Sequence, residues 1–371
     1  MTAIDWYNIQ DVENLDTPAL VVYPDRVKQN ISLLKGMIDD VSRLRPHAKT
    51  YKCKEVTLLM LEAGFRKFKC ATIAEAEMLA TCKAPDVLLA YQPIGPKLKR
   101  FVKLMLTYPE TKFSCLVDNI GAAVEISAAA IKNKIVIKVY IDLNIGQNRT
   151  GIAPGKAASQ LYVDCDLLPG IRPVGLHAYD GHLHDADFNI RTEACNECFA
   201  PVSKLQADLV HLGYHQPVIV AGGSPTFPIH AKRKKVECSP GTFVYWDKGY
   251  QTMLAEQPFL TAALVVSRVI SLPDETKICL DIGHKSVAAE NELNKRVYFL
   301  NAPELVTIGQ SEEHLVVGAG KGHTYKVGDV FYGLPYHICP TIALYERAIT
   351  VENNKTSGEW KNIARDREIT V

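Results

Sequence analysis

Four short tracts of this chain hold residue types and spacings from which chemistry is made. Lys49 lies in Arg45-Pro46-His47-Ala48-Lys49-Thr50-Tyr51-Lys52, directly after a hydrophobic stretch. At the end of a barrel strand its amine would face a pocket where desolvation and neighbouring cations favour the free base, the form that attacks an aldehyde. A lone lysine is ordinarily a solvated surface residue. What changes that reading is Gly222-Gly223-Ser224-Pro225-Thr226, joined by Pro240-Gly241-Thr242. Glycine turns let backbone N–H groups approach and cradle an anion. An amine and an anion cradle together suit an aldehyde cofactor that carries a phosphate. The fourth tract is His337-Ile338-Cys339. On an extended segment an i, i+2 pair projects imidazole and thiolate to one face, where both reach one metal ion. Two protein ligands leave positions for water and substrate, as a catalytic metal requires.

The elements that must position these residues follow from hydrophobic periodicity. Short apolar runs alternate with amphipathic segments from about residue 41 to 248, the pattern of repeated βα units around a parallel sheet. The strand candidates are Ser42–Lys49, Phe68–Thr72, Asp86–Tyr91, Lys112–Val117, Ile135–Leu143, Arg172–Tyr179, Pro217–Gly222 and Val236–Tyr245. Helical patterns such as Lys54–Ala63, Ile73–Lys83 and Asn189–Leu212 separate them. Eight such strands predict an α/β fold of the (β/α)8 TIM-barrel type, whose reactive residues gather at the C-terminal ends of the strands. Lys49, Asn148-Arg149, Tyr179-Asp180-Gly181-His182, Gly222-Gly223-Ser224 and Gly241-Thr242 all fall there. Beyond residue 249, β-branched runs (Thr261–Ser271, Lys277–Leu280, Leu315–Val317, Ala348–Val351) between Gly, Pro and Asn-Lys turns predict a C-terminal antiparallel β domain. Leu15–Tyr23 is one strand more than the barrel needs. The expected division is therefore a barrel over 24–248, with 1–23 and 249–371 forming the β domain.

Composition narrows the class. The chain has 371 residues, 47% of them hydrophobic, enough for two compact cores. Its formal charge of +1 gives no case for a nucleic-acid partner. Lys232-Arg233-Lys234-Lys235 reads as a solvated loop. The start, Met1 to Trp6, has no leader pattern, and no later stretch approaches the ~18 apolar residues of a membrane span. A cytoplasmic location is the expectation. The ten cysteines show no disulfide framework; Cys195 and Cys198 are spaced C-x-x-C, but in a helical stretch with no second pair.

Leu15-Asp16-Thr17-Pro18, Arg45-Pro46-His47-Ala48-Lys49-Thr50, Gly222-Gly223-Ser224-Pro225-Thr226 and Pro335-Tyr336-His337-Ile338-Cys339-Pro340-Thr341, in that order, resemble the D-threonine aldolase and D-serine dehydratase family, whose barrel is similar to that of alanine racemase. The resemblance implies pyridoxal 5'-phosphate as cofactor with Lys49 as its imine-forming residue. It implies cofactor contacts from Arg149, near the phenolate oxygen, and from Tyr179, Gly222, Gly223, Ser224, Gly241 and Thr242. It implies a divalent metal on His337 and Cys339, where a thiolate suits Zn²⁺ better than Mn²⁺ or Mg²⁺. Tyr51 stands where the family usually has His, and Ser239 stands where related racemases carry an arginine, so the pyridine nitrogen is expected to lack a cationic partner. His182, His184 and the Ser311-Glu312-Glu313-His314 tract read equally as polar loops, and His284 departs from the small residue the family pattern leads one to expect.

The activity so implied is that of a lyase acting on D-3-hydroxy amino acids. Cys339 points to dehydration of the D-serine dehydratase kind, with retro-aldol cleavage and amino-acid racemisation as alternatives. The likeness also implies a homodimer whose active sites are shared between subunits, a small D-amino acid as substrate, and no nucleic-acid or membrane partner.

Overall fold

The computed structural model describes residues 5–371, so most of the N-terminal stretch 1–6 lies outside the described residues. In chain order the strands are β1 (Ala19–Val22), β2 (Lys67–Cys70), β3 (Asp86–Leu89), β4 (Lys112–Val117), β5 (Ile137–Leu143), β6 (Ile171–Ala178), β7 (Val218–Ala221) and β8 (Val236–Cys238). There follow β9 (Ala263–Asp274), β10 (Lys277–Leu280), β11 (Val297–Phe299), β12 (Val306–Gln310), β13 (Leu315–Gly318), β14 (Val330–Pro335), β15 (Arg347–Glu352) and β16 (Lys355–Lys361). The chain divides into two compact units: Leu34–Lys49 with Thr57–Gly241 and Asp366–Val371, and the remainder, Thr50–Val56 and Thr242–Arg365 together with the chain up to Leu33.

In the first unit β2 to β8 form a parallel sheet in sequence order. The eighth barrel element is not the continuous strand expected over Ser42–Lys49. Asp40 accepts from Ser42 N at 2.8 Å and turns residues Val41–Arg43 into a 3-10 helix. Pro46 has no N–H to give, and Ala48–Thr50 forms a second 3-10 turn. Only single bridges remain, Leu44 to Cys238 and His47 to Lys69, one at each open edge of the sheet. Arg45 N donates to Cys238 O at 2.8 Å and Lys69 N to Pro46 O at 2.9 Å, so the segment still closes the ring. The last strand is shorter than expected too, ending at Cys238 before a 3-10 turn at Thr242–Val244.

Alternate strand residues point inward and fill the barrel in tiers. Leu88, Leu116, Tyr140 and Val220 form an apolar cluster there. Arg45, 1% exposed, pairs with Glu237 at 2.7 Å and Asp86 at 2.6 Å. Burial alone would favour its neutral form, but these two carboxylates hold the guanidinium charged. Some of the helices that follow strands begin with side-chain caps: Thr72 Oγ1 accepts from Glu75 N at 3.0 Å while Glu75 accepts from Ala71 N at 2.6 Å. Asn119 and Asp187 cap Ile120–Lys132 and Phe188–His211 in the same manner.

In the second unit the path β12-β13-β10-β9-β1-β15-β16 runs through a sheet to which β14 adds on β9 and β11 on β14. β1 lies antiparallel to β9, as its place outside the barrel requires, but parallel to β15, so this sheet is mixed and not wholly antiparallel. Its core gathers Val21, Tyr23, Leu264, Val266, Tyr332 and Leu334. All ten cysteines are free thiols, most of them buried. Among the described residues no helix is long and apolar enough to cross a membrane.

Candidate active site

A cavity of about 240 Å³ opens among the C-terminal ends of the barrel strands, lined by His47, Lys49, Lys69, Ala71, Ala90, Tyr91, Arg149, Thr150, His177 and Tyr179. Three lysine or arginine side chains line it and no carboxylate does, so its walls are matched to an anion. Lys49 sits in the 3-10 turn Ala48–Thr50, and its backbone N–H donates to His47 Nδ1 at 3.2 Å. Arg149, exposed in the loop after β5, places its guanidinium carbon 5.0 Å from the centre of the Tyr179 ring.

The anion cradle adjoins that ring. Gly222 has φ +74, and a Cβ on Gly223 would sit 3.2 Å from Tyr179 Cε2. Gly241 N donates to the buried Ser224 hydroxyl at 3.4 Å, so the two glycine turns are tied together. The residues present thus fit a phosphate-bearing aldehyde: an amine, cations without carboxylates, and a backbone turn that only glycine can make. Thr242, the last of the expected cofactor contacts, belongs to the other unit, where its hydroxyl lies 3.7 Å from Cys339 Sγ.

Behind the rim lie residues that spacing did not single out. Lys69 is 3% exposed, and its Nζ lies 3.3 Å from His177 Nε2. His177 Nδ1 lies 2.7 Å from Asp142 Oδ1, and Thr150 Oγ1 donates to Asp142 Oδ2 at 2.8 Å. Asp142 and His177 are register partners across β5 and β6, which is why they meet. Burial would raise the Asp142 carboxyl, but the His177 hydrogen bond and charge hold it below the usual range. Burial and the Lys69 charge hold His177 down, so an ionised Asp142 accepts from Nδ1–H and leaves Nε2 as acceptor for the amine. Burial, followed by the Lys49 charge, brings Lys69 itself from 10.5 down to about 7.

A second buried group, Asp180, Cys195 and His230, brings carboxylate, thiol and imidazole together. Its hydrogen bonds already account for its donors: His230 Nε2 to Asp180 at 2.8 Å, Thr226 Oγ1 to Asp180 at 2.8 Å, and Arg233 Nη1 to His230 Nδ1 at 3.0 Å. A guanidinium only donates, so Nδ1 must accept and Nε2 must carry the proton. In that tautomer Nε2–H is taken up by Asp180, so hydrogen bonds account for the arrangement, while carboxylate, thiol and imidazole lie close enough together to hold a metal ion. His182 and His184 do not line the cavity; His182 lies 3.7 Å from Cys198 Sγ, and His184 is exposed. Tyr51 is fully buried, and the Ser311–His314 tract folds over Gly283 as a turn, His284 N donating to Ser311 O.

In the other unit His337 and Cys339 do not lie on an extended segment. His337 is the extended N-cap residue of the helix Ile338–Leu344, and Cys339 is in its first turn. Asp247 fixes this helix start, accepting from Ile338 N at 3.0 Å. The two side chains nevertheless meet. Burial would push His337 down, but its hydrogen bond to Cys339, the charges of Cys339 and Asp247 and a hydrogen bond to Glu290 hold it up at about 9. The Thr50 hydroxyl lies 3.2 Å from Cys339 Sγ. An imidazole and a thiol in mutual contact, ringed by hydroxyls and a carboxylate, fit a soft divalent cation.

Comparison with known proteins places these features. Residues 22–248 match the family described as alanine racemase, N-terminal domain. The chain belongs to this family. Residues 262–351 match a putative serine dehydratase domain. The chain is 28% identical over 359 residues to D-threonine aldolase of Arthrobacter sp, covering 95% of this chain and 93% of that one. It is 24% identical over 380 residues to D-threo-3-hydroxyaspartate dehydratase of Delftia sp. (strain HT23), covering 94% and 97%. The crystal structure of D-threonine aldolase from Filomicrobium marinum superposes with a TM-score of 0.86 at 24% identity, covering 95% of this chain and 96% of that one, which establishes a shared fold.

Proposed function

We propose that this member of the alanine racemase-like family is a pyridoxal phosphate- and metal-dependent lyase of D-3-hydroxy amino acids, working as a dehydratase that releases ammonia and a 2-oxo acid. The observation that carries the reading is the cavity itself, in which Lys49 shares walls with Arg149, Tyr179 and Lys69 and with no carboxylate. When bound, the cofactor supplies an electron sink for the bond that breaks at the substrate's α-carbon. Lys49 holds the aldehyde and, once displaced by the substrate amine, serves as the base that takes the α-proton. The Gly222-Gly223-Ser224 turn and Gly241 would hold the phosphate, and Arg149 and Tyr179 would hold the ring and its oxygen. His337 and Cys339 would hold the metal, which would supply Lewis-acid chemistry for the leaving hydroxyl. Retro-aldol cleavage is the second reading, favoured by the 28% identity to an aldolase.

The test is D-threonine with the loaded enzyme. Elimination gives 2-oxobutanoate and ammonia; retro-aldol cleavage gives glycine and acetaldehyde; L-alanine from D-alanine would mark a racemase and overturn the lyase reading. Borohydride should fix the cofactor to the peptide bearing Lys49, and label on another lysine would refute the assignment. The reading makes the metal as necessary to turnover as the cofactor. Chelation, or His337→Ala, should therefore stop turnover while the Lys49 adduct still forms, and full activity in metal-free enzyme would remove the metal from the scheme.

A further inference from the structure

Lys69 is a second amine in the wall of the cavity that contains Lys49, and the catalytic scheme above does not use it. Its setting is unlike that of a structural lysine. Among the described residues no carboxylate bonds to it directly; its hydrogen-bond partner is the lone pair of a neutral imidazole, His177 Nε2 at 3.3 Å. That imidazole is in turn fixed by Asp142 at 2.7 Å. Nζ also lies 5.5 Å from the centre of the Tyr179 ring, the ring over which Arg149 lies. The His177–Asp142 pair thus aims the amine while leaving its remaining valences to the cavity.

The charged and titratable groups around it can be named. Lys49 and Arg45 come from the segment between the helices Pro24–Gly36 and Lys54–Glu62, with His47 between them; Asp142 is on β5; His177, Tyr179 and Asp180 come from β6 and its end; Arg149 and Tyr91 line the same cavity. Burial and the positive Lys49 disfavour the ammonium, bringing Lys69 to about 7 against the pull of Asp142 and Asp180. An anion arriving in the cavity reverses that balance, because the nearest new charge is negative. In the cofactor of the proposed function the ring oxygen is adjacent to the carbon that joins Lys49, so it is the anionic atom brought closest to a residue beside Lys49.

We propose that Lys69 is a cofactor-contacting residue that takes up a proton as the aldehyde cofactor binds Lys49, becoming the ammonium partner of the cofactor's ring oxygen, with His177 and Asp142 as its positioning residues. This rests on the cofactor assignment made above. The condensation itself balances without it: as the C=N bond forms, an ammonium at Lys49 gives two hydrogens to the departing water and keeps one. The extra proton comes from solvent and stays on Lys69.

The experiment is calorimetric loading of cofactor-free protein with pyridoxal 5'-phosphate at pH 8, in two amine-free buffers of different ionisation enthalpy, which yields the protons taken up per site. Wild type should take up about one proton more than Lys69→Arg, which is always charged, or Lys69→Met, which never is. With 3-deoxypyridoxal 5'-phosphate, which keeps aldehyde and phosphate but lacks the ring oxygen, wild type should take up about one proton fewer than it does with pyridoxal 5'-phosphate, and this arm needs no variant to fold. Equal uptake by wild type and variants, or undiminished wild-type uptake with the deoxy analogue, overturns the proposal. Failure of wild type to form a borohydride-fixable adduct at Lys49 would instead overturn the cofactor assignment, so the two failures are told apart.

Discussion

Two buried aspartate–histidine pairs sit side by side in the barrel unit and differ in what completes them. Asp142 and His177 meet at 2.7 Å, Asp180 and His230 at 2.8 Å. Burial would raise both carboxyls, and in both the imidazole hydrogen bond holds them below the usual range. The third partner separates them. Arg233 closes the second pair, and a guanidinium does not give up its proton, so that imidazole has one tautomer and the group is a brace behind the Gly222–Thr226 turn. Lys69 completes the first pair, opens on the cavity, and is brought to about 7. The same pair of side chains is thus a fixed support with arginine and a proton-exchanging wall with lysine.

The largest effect expected from this contrast is on the closed pair. Asp180→Ala leaves Nε2–H of His230 and the Thr226 hydroxyl without their acceptor in a buried site, and should cost about 3 kcal/mol or more in denaturant unfolding. Asp180→Asn, which keeps one acceptor oxygen, should cost less. A loss under about 1 kcal/mol for the alanine would show that packing, not the hydrogen-bonded pair, supports the turn.

The open pair should announce itself in pH dependence. Lys69 ordinarily titrates near 10.5, in the unfolded chain included, and near 7 when folded, so between these values the unfolded chain binds more protons and stability rises with pH. Below about 7 the burden is fully present; it is relieved as pH rises. Relative to Lys69→Met, wild type should therefore gain stability at up to about 1.4 kcal/mol per pH unit, or about 2.5 kcal/mol between pH 7 and 9. Chemical unfolding of cofactor-free protein at several pH values reads this directly. Parallel profiles for the two proteins would mean that Lys69 stays charged throughout.

Much of this arrangement was legible in the sequence because it lies in continuous segments. β4 and β10 have the bounds that periodicity predicts, and Lys49, Arg149 and Tyr179 fall together in one cavity because strand ends converge in a barrel. The segment Ser42–Lys49 misled because apolar pattern cannot register a cap at Asp40 or the missing donor of Pro46. His337 and Cys339 meet for a different reason from the one their spacing suggested: a helix begins between them, and the N-cap residue keeps its extended backbone. Lys69, Asp142 and His177 were invisible as a group. They come from three strands, no spacing links them, and their only trace is a charge at inward-facing positions of otherwise apolar runs.

The finest discrimination comes from the two glycines of the cradle, which lean on different neighbours. Gly222 has a left-handed backbone, and a Cβ there would sit 2.7 Å from His230 Cδ2 and 2.9 Å from Thr226 Oγ1, so alanine pushes on the closed pair. Backbone strain alone should cost about 1–2 kcal/mol, and the braced imidazole has nowhere to go. Gly223 has an ordinary backbone, and its Cβ would press on Tyr179 Cε2, at 3.2 Å, with Pro225 Cδ at an ordinary contact distance of 3.8 Å. Tyr179 is half-buried at the cavity rim, so its ring can give by a few tenths of an ångström. Gly223→Ala should leave stability within about 0.5 kcal/mol of wild type and appear instead as cofactor binding weakened about fivefold, equivalent to about 1 kcal/mol, measured by titrating cofactor-free protein with pyridoxal 5'-phosphate. If Gly223→Ala destabilises as much as Gly222→Ala, the rim ring is as rigid as the brace, and the division between a fixed support and a yielding cavity wall does not hold at the cradle.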